Sequence, residues 1–127
     1  PGDPSLDIHS TGSATLITDL RPYVREVTDT LGILQHLDLV ITCESALGHI
    51  CAAANKECWI PYSWLGRDYR IGQRGERLMW TPKHRIFRQG PDRQWGPVFE
   101  NIANVLQQRV HGQLAQRGTV YDESRVA

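Results

Sequence analysis

Residues 43–54, CESALGHICAAA, place side chains that can do chemistry directly after the apolar run LDLVIT. A carboxylate, a hydroxyl and an imidazole lie within six positions, on Glu44, Ser45 and His49. Carboxylate oxygens accept hydrogen bonds from sugar hydroxyls, and an imidazole near a helix start can donate to an oxyanion. The alternative is structural: Ser45 as a helix cap, Glu44 as a partner of the helix dipole and His49 as a half-buried side chain.

These side chains can act together only if strands and helices position them, and the surrounding sequence predicts such strands and helices. Short apolar runs predict four strands: ATLITDL (14–20), DLVIT (38–42), CWIPY (58–62) and HRIFRQ (84–89). Helical spacing of apolar residues predicts three helices, over residues 27–37, 45–54 and 95–116.

Local signals predict where these helices begin and which face they bury. We expect Thr28 or Asp29 to cap the first helix, and Asn55 to close the second, because asparagine tolerates the left-handed conformation. The third helix carries an apolar face formed by Val98, Ile102, Val105 and Leu106.

Strands that alternate with helices predict an α/β fold, with a Rossmann-like parallel sheet and flanking helices. A length of 127 residues suits one domain. We divide the chain into a turn-rich leader (1–13), the domain (14–117) and an irregular tail (118–127).

Ligands of open parallel sheets gather at the carboxyl ends of the strands, which is where the helix after Thr42 is predicted to begin. The N–H groups of Ala46, Leu47 and Gly48 would be unpaired at this helix start and would face a diphosphate. Gly48 has no side chain, so a ligand can approach closely.

A basic loop is the second candidate feature. Residues 66–93 contain eight basic and three acidic side chains, and Arg67 and Arg70 lie in the part between Trp64 and Trp80. Such a segment can attract phosphates or the surface of an acidic membrane, which would make membrane association peripheral. The alternative is a solvated, arginine-rich loop. Trp59, Trp80 and Trp95 are predicted to be packing residues, whereas Trp64 can contact a base or a sugar.

Composition limits the remaining functions. Cys43, Cys51 and Cys58 lie in apolar segments, as is typical of buried thiols in a reducing compartment, so we expect a cytoplasmic protein. These cysteines and His49 lack paired zinc-ligand spacing, so we predict no metal site. The chain has no apolar run long enough to span a bilayer and no signal-peptide pattern. We expect no nucleic-acid partner.

Four blocks of the sequence resemble the heptosyltransferase-like glycosyltransferases, glycosyltransferase family 9, especially bacterial members in which the domain follows tetratricopeptide repeats. DLVITCESALGHICAAANKECWIPYSW resembles the family segment D-L-V-I-S-V-D-T-A-V-A-H-L-A-G-A-L-G-K-P-V-W. RDYRIG, LMWTPKHRIFRQ and RQWGPVFENIANVL resemble the blocks D-W-R-W, S-P-W-Y-P-x-x-R-L-F-R-Q and W-x-x-V-x-x-x-I. The resemblance extends over about residues 19–110.

The resemblance implies the later part of the C-terminal, donor-binding lobe of a glycosyltransferase B fold. Glu44 would match a donor-contacting aspartate, Ser45 a phosphate-contacting hydroxyl and His49 the family histidine, with Ala46 and Leu47 supplying backbone near the phosphates. It also implies an inverting, metal-independent transferase that uses a nucleotide diphosphate sugar as substrate, without a cofactor.

The acceptor-binding lobe or a tetratricopeptide-repeat region of a longer chain would then be the partner. The resemblance does not identify catalytic residues in this chain. The alternative function is a non-catalytic nucleotide-binding or protein-interaction module that keeps the fold.

Overall fold

The computed structural model describes residues 7–66, 68, 71 and 81–122. The chain divides into two compact units, Pro1–Leu37 and Asp38–Ala127. In the first unit, two α-helices flank two 3-10 helices: α1 (Asp7–Ser10), Ser13–Thr15, Arg21–Tyr23 and α2 (Val27–Gln35). The predicted domain boundaries at residues 13 and 117 stay predictions.

Helix α2 confirms the helix predicted over residues 27–37, but its predicted cap is wrong. Glu26 is the N-cap residue and forms a capping box with Asp29, which lies three positions further on. The Asp29 carboxylate accepts hydrogen bonds from the backbone N–H groups of Arg25 and Glu26, at 2.9 and 3.1 Å. This reciprocal bonding pairs N–H groups at the helix start and begins the helix before Thr28.

The strand predicted over residues 14–20 is also wrong. Ser13–Thr15 forms a 3-10 helix, and the apolar side chains that follow are exposed, with Leu16 at 90% and Ile17 at 50%. A strand is stable only when a neighbouring strand pairs with it, and the sheet in the described part of the chain begins at Val40. Apolar composition alone was therefore a misleading signal here.

The second unit contains a parallel sheet of three strands in the order β1 (Val40–Ile41), β2 (Cys58–Tyr62) and β3 (His84–Arg88). Val40 pairs with Cys58, and Cys58 pairs in turn with His84. These strands confirm three of the predicted strands, and β2 has the predicted bounds. Because the strands are parallel, residues after Ile41, Tyr62 and Arg88 lie at one edge of the sheet.

Helices cover both faces of this sheet. On one face, Cys58 contacts Cys51 of helix α3 (Ala46–Ala53), and Ile60 lies beside Gly48 of the same helix. On the other face, Trp59 and Phe87 pack with Val98 and Ile102 of helix α4 (Gly96–Asp122). This α/β arrangement is compatible with the predicted Rossmann-like fold.

Helix α4 uses the predicted apolar face. Val98 and Ile102 are buried, and Val105 and Leu106 pack beside them. Further along the helix, the Arg109 guanidinium pairs with the Glu57 carboxylate and donates to the Asp38 carbonyl at 3.3 Å. The helix ends at Asp122 rather than at Gln116, so it continues past the last apolar residue of its buried face.

Candidate functional site

The candidate site begins where β1 gives way to α3 at the carboxyl edge of the sheet. Ser45 is the N-cap residue of α3, as predicted, but its hydroxyl does not bond a helix N–H group. The Ser45 Oγ atom instead lies 3.3 Å from Oγ1 of Thr42. At the other end of the helix, Asn55 adopts a left-handed conformation with φ of 52°, which confirms the predicted stop.

The backbone of this turn corrects part of the predicted anion site. The Gly48 N–H group donates to the Ser45 carbonyl at 3.1 Å, so it is not available to a ligand as predicted. The N–H groups of Ala46 and Leu47 precede the first residues that can bond within the helix. Two backbone N–H groups, rather than the three predicted, therefore remain available to a ligand at the positive end of the helix dipole.

A cavity of about 150 Å³ opens beside this helix start, between α3 and the sheet, and we name it the α3–β3 cavity. Four of the residues predicted from the sequence line it: Glu44, Ser45, Gly48 and His49. Ala46 and Leu47 do not line the cavity. The remaining lining residues are Ala52, Ile60, Asp68, Ile71, Thr81 and His84. The cavity therefore brings the predicted turn together with residues as far along the chain as His84, at the start of β3.

His84 and Thr81 are lining residues that sequence reasoning missed. His84 is 1% exposed, and its Nε2 atom lies 3.0 Å from the Gly48 carbonyl oxygen. Because a carbonyl only accepts, Nε2 carries the proton. The His84 Nδ1 atom and the Thr81 Oγ1 atom are buried without a hydrogen-bond partner. Such atoms are rare in folded proteins, and each is costly unless a water or ligand pairs with it.

The loop after β2 is held close to the same edge of the sheet. The Tyr62 hydroxyl accepts from the Asp68 N–H group at 2.9 Å. Arg88 donates to the Ile71 carbonyl at 2.9 Å, and the Gln89 side-chain oxygen accepts from the Trp64 N–H group at 3.2 Å. Three side chains therefore hold the described part of the loop: Tyr62 of β2, Arg88 of β3 and Gln89 directly after β3. Arg67 and Arg70 lie outside the described residues, so their predicted role is untested.

The charges beside the cavity favour ligand groups that donate hydrogen bonds. Glu44 and Asp68 both line the cavity, and their ionised carboxylates are acceptors that form no hydrogen bond to an anion. Carboxylate oxygens instead accept from hydroxyl groups. The arrangement can therefore hold the hydroxyl-bearing part of a ligand beside Glu44 and Asp68 and an anionic part outside, at the N–H groups of Ala46 and Leu47.

The cysteines differ in exposure, which partly corrects the prediction of buried thiols. Cys51 and Cys58 are fully buried and their thiols are in contact, whereas Cys43 is exposed. Burial raises the pKa of both buried thiols, and for Cys58 the pKa rises to about 12. Among the residues that the structure describes, no group of three or more metal-binding side chains is positioned to hold an ion.

The tryptophans also divide by environment. Trp59 is buried in the core against Phe87, with ring centroids 5.3 Å apart, which confirms its predicted packing role. Trp95 is 40% exposed and packs against the Phe99 ring, with centroids 6.0 Å apart, so its predicted packing role is met at the surface rather than in the core. Trp64 is 52% exposed at the carboxyl edge of the sheet. Trp80 lies outside the described residues.

A larger open depression of about 560 Å³ lies at the opposite, amino edge of the sheet. Its lining includes Lys56, Lys83 and Arg85 together with Asp38 and Glu57. None of the site residues predicted from the sequence lines it. Size alone would favour this depression, but the mixture of charges at its surface resembles ordinary solvated protein surface.

Comparison of the chain with protein-family models, with curated proteins and with solved structures finds no match. Within the described part of the chain, every helix is too short or too polar to cross a lipid bilayer.

Proposed function

We propose that this chain is the nucleotide-sugar-binding part of a glycosyltransferase, within the C-terminal lobe of a glycosyltransferase B fold. One observation carries the proposal. The start of α3 and the loop after β2 meet at a cavity lined by Glu44, Ser45, Gly48 and His49. Strand-to-helix turns at the carboxyl edge of parallel sheets are typical sites for phosphate-bearing ligands.

The proposed reaction transfers a sugar from a nucleotide diphosphate sugar to an acceptor hydroxyl. A base on the acceptor-binding lobe removes the hydroxyl proton, the oxygen attacks the anomeric carbon, and the bond from that carbon to the diphosphate breaks. The diphosphate leaves with the bonding electron pair. The N–H groups of Ala46 and Leu47, the Ser45 hydroxyl, Arg67 and Arg70 stabilise its added charge.

Glu44 and His49 have separate roles in this proposal. The Glu44 carboxylate accepts hydrogen bonds from donor hydroxyl groups, and the exposed His49 imidazole donates to a phosphate oxygen. The acceptor-binding lobe or tetratricopeptide-repeat region of a longer chain is the proposed partner, in the cytoplasm. No metal or cofactor takes part in this mechanism.

Titration calorimetry with UDP, GDP and ADP tests the donor site. We expect heat of binding for at least one diphosphate, together with amide chemical-shift changes at Ala46 and Leu47. Ser45→Ala removes the hydroxyl and should weaken binding about fivefold to tenfold, which is the typical effect of one lost hydrogen bond. Ala53→Ser is the control, because Ala53 is exposed and lies at the far end of α3. A folded protein that binds none of the three diphosphates would refute the donor site.

A protein-interaction module is the alternative function, and exposed apolar residues in the first unit favour it. Leu16, Tyr23 and Val27 are 90%, 70% and 59% exposed. Exposed apolar side chains can supply contact area to a partner protein.

Sugar transfer distinguishes the enzyme from the module. The chain joined to its acceptor-binding lobe should transfer sugar, Glu44→Gln should lower the rate about tenfold or more, and Glu44→Asp should retain activity. If no nucleotide sugar is transferred or hydrolysed and Glu44→Asp does not restore activity, the module is the correct function.

A further inference from the structure

We propose that the interior of the α3–β3 cavity binds one apolar carbon ring of about the size of benzene. The ring is either a free molecule or the end of a larger ligand. This inference goes beyond the proposed function, because it requires no nucleotide. The diphosphate of the proposed donor would lie at the N–H groups of Ala46 and Leu47, and neither residue lines the cavity.

The cavity has a polar mouth and a buried interior. Glu44 and His49 are lining residues that are exposed, so the cavity opens to solvent on their side. Gly48, Ile60 and Ile71 are lining residues that are buried. A ring that passes the mouth is therefore surrounded by the buried residues, while the rest of a larger ligand can remain outside.

The interior walls are mainly carbon. Gly48 and Ala52 of α3, Ile60 of β2 and Ile71 of the following loop line the cavity with largely apolar surface. Such walls offer a ligand few hydrogen-bond partners, so they favour hydrocarbon over polar groups, which would lose their bonds to water.

Thr81 and His84 also line the cavity, but their polar atoms do not open on it. The Thr81 Oγ1 and His84 Nδ1 atoms are shielded from solvent, and His84 Nε2 donates to the Gly48 carbonyl. Both residues therefore present carbon to a ligand. A bound water needs about two to four polar partners, so water in the interior is weakly held. An apolar group that displaces such water gains affinity.

The volume of the cavity matches one carbon ring. In another protein, a cavity of about 150 Å³ with apolar walls holds benzene. The α3–β3 cavity also measures about 150 Å³. A polar ring of the same size would give up hydrogen bonds to water and find few in exchange. The cavity should therefore distinguish between rings of equal size by their polarity.

Titration of the whole chain with benzene and with pyrimidine, followed by amide chemical shifts, tests this assignment. Pyrimidine is a ring of the same size in which nitrogen replaces two carbons. We expect benzene to shift the amides of Gly48, Ala52 and Ile60 and to saturate with a Kd of about 1 mM or lower. Pyrimidine should bind at least about tenfold more weakly. Equal affinities, or no saturable binding of benzene, would overturn the proposal.

Gly48→Ala tests the location of the ring. Among the described atoms, a Cβ at Gly48 would meet only Ile60 Cδ1, at 3.6 Å, so the methyl group occupies cavity space without a clash. Alanine also favours a helix more than glycine does. We therefore expect benzene affinity to fall about threefold to tenfold, while stability in urea is unchanged or higher. Gly112→Ala is the matched control, because it makes the same change in α4, where the methyl group meets no described atom within 4 Å.

Ala52→Leu fills more of the cavity and should abolish benzene binding. Ala53→Leu is its control, because Ala53 is exposed and does not line the cavity. If benzene affinity survives both Gly48→Ala and Ala52→Leu, benzene binds elsewhere and the proposal is wrong. If one of these two variants does not fold, the other decides.

Two further ligands separate the possible sources of the ring and the two proposals. Binding of phenyl glucoside as tightly as benzene supports a ring carried by a larger ligand, whereas binding of benzene alone supports a free ring. UDP binding without benzene binding would overturn this inference and leave the proposed donor site intact. Benzene binding without UDP binding would support this inference while the donor site fails.

Discussion

The Nε2 atom of His84 lies 3.0 Å from the carbonyl oxygen of Gly48, which joins the first residue of β3 to the first half of α3. The two residues are 36 positions apart in the sequence, and both are buried. This hydrogen bond fixes the helix that begins at the candidate site against the sheet. The start of α3 is therefore tied to a residue at the amino end of β3, which is separated by β2 from the strand that precedes Ser45.

Replacing His84 tests this connection. His84→Leu removes the hydrogen bond, and we expect the free energy of unfolding to fall by about 1 kcal/mol. His84→Gln should lose less, because the glutamine amide can donate to the same carbonyl. Urea denaturation of both variants measures the difference. Equal losses would assign the role of His84 to packing alone, and His49→Leu at an exposed position is the control for a histidine-to-leucine change.

Arg67 and Arg70 are expected to attract the diphosphate from the loop that Tyr62, Arg88 and Gln89 hold at the carboxyl edge. Replacing both arginines by glutamine should weaken UDP binding and flatten its dependence on salt, because exposed charges are screened beyond about 10 Å at 0.1 M salt. Calorimetry at low and high salt measures both effects. Unchanged affinity at low salt would show that these arginines are only solvated.

The buried thiols predict a pH dependence of stability. The folded state raises the pKa of Cys58 from 9.0 to about 12, mainly through burial, so the folded state retains a proton that the unfolded state loses. The contribution of the protonated Cys58 thiol to the free energy of unfolding is therefore fully present below about pH 9. Between about pH 9 and 12 the free energy of unfolding falls by up to about 1.4 kcal/mol per pH unit. Urea denaturation between about pH 8 and pH 11 should show a shallower decline for Cys58→Ala than for the original chain. Identical slopes would contradict the raised pKa.

The two phenylalanines provide a matched test of the core. Phe87 is 3% exposed between Trp59 and α4, whereas Phe99 is 53% exposed. We expect Phe87→Ala to lower the free energy of unfolding by about 3–5 kcal/mol and Phe99→Ala to have a much smaller effect. Urea denaturation measures both changes. Similar losses would mean that the core is not centred on Trp59 and Phe87.

Local sequence patterns were sufficient for most of the second unit. The run CWIPY predicted β2 with its correct bounds, and Ser45 and Asn55 predicted both ends of α3. The spacing of Val98 and Ile102 predicted the buried face of α4. These signals succeed because strand alternation, helix capping and helical periodicity involve residues only a few positions apart.

Local sequence patterns failed where the secondary structure depends on whether a second strand is present to pair. ATLITDL has the composition of a strand, yet the chain there forms a 3-10 helix with Leu16 exposed. Composition does not reveal whether a partner strand is present. The free N–H group predicted for Gly48 is likewise taken by the Ser45 carbonyl, a detail of one turn that spacing cannot specify.

The sequence by itself determined the α/β class, three strands of the sheet and the turn that contains Glu44, Ser45 and His49. Only the tertiary structure brought Asp68, Thr81 and His84 to that turn and enclosed a cavity beside it. Local patterns depend on the conformational preferences of adjacent residues, which are written in short segments of sequence. Contacts across tens of residues depend instead on how α3, the sheet and the intervening loop pack, and no short segment contains that information.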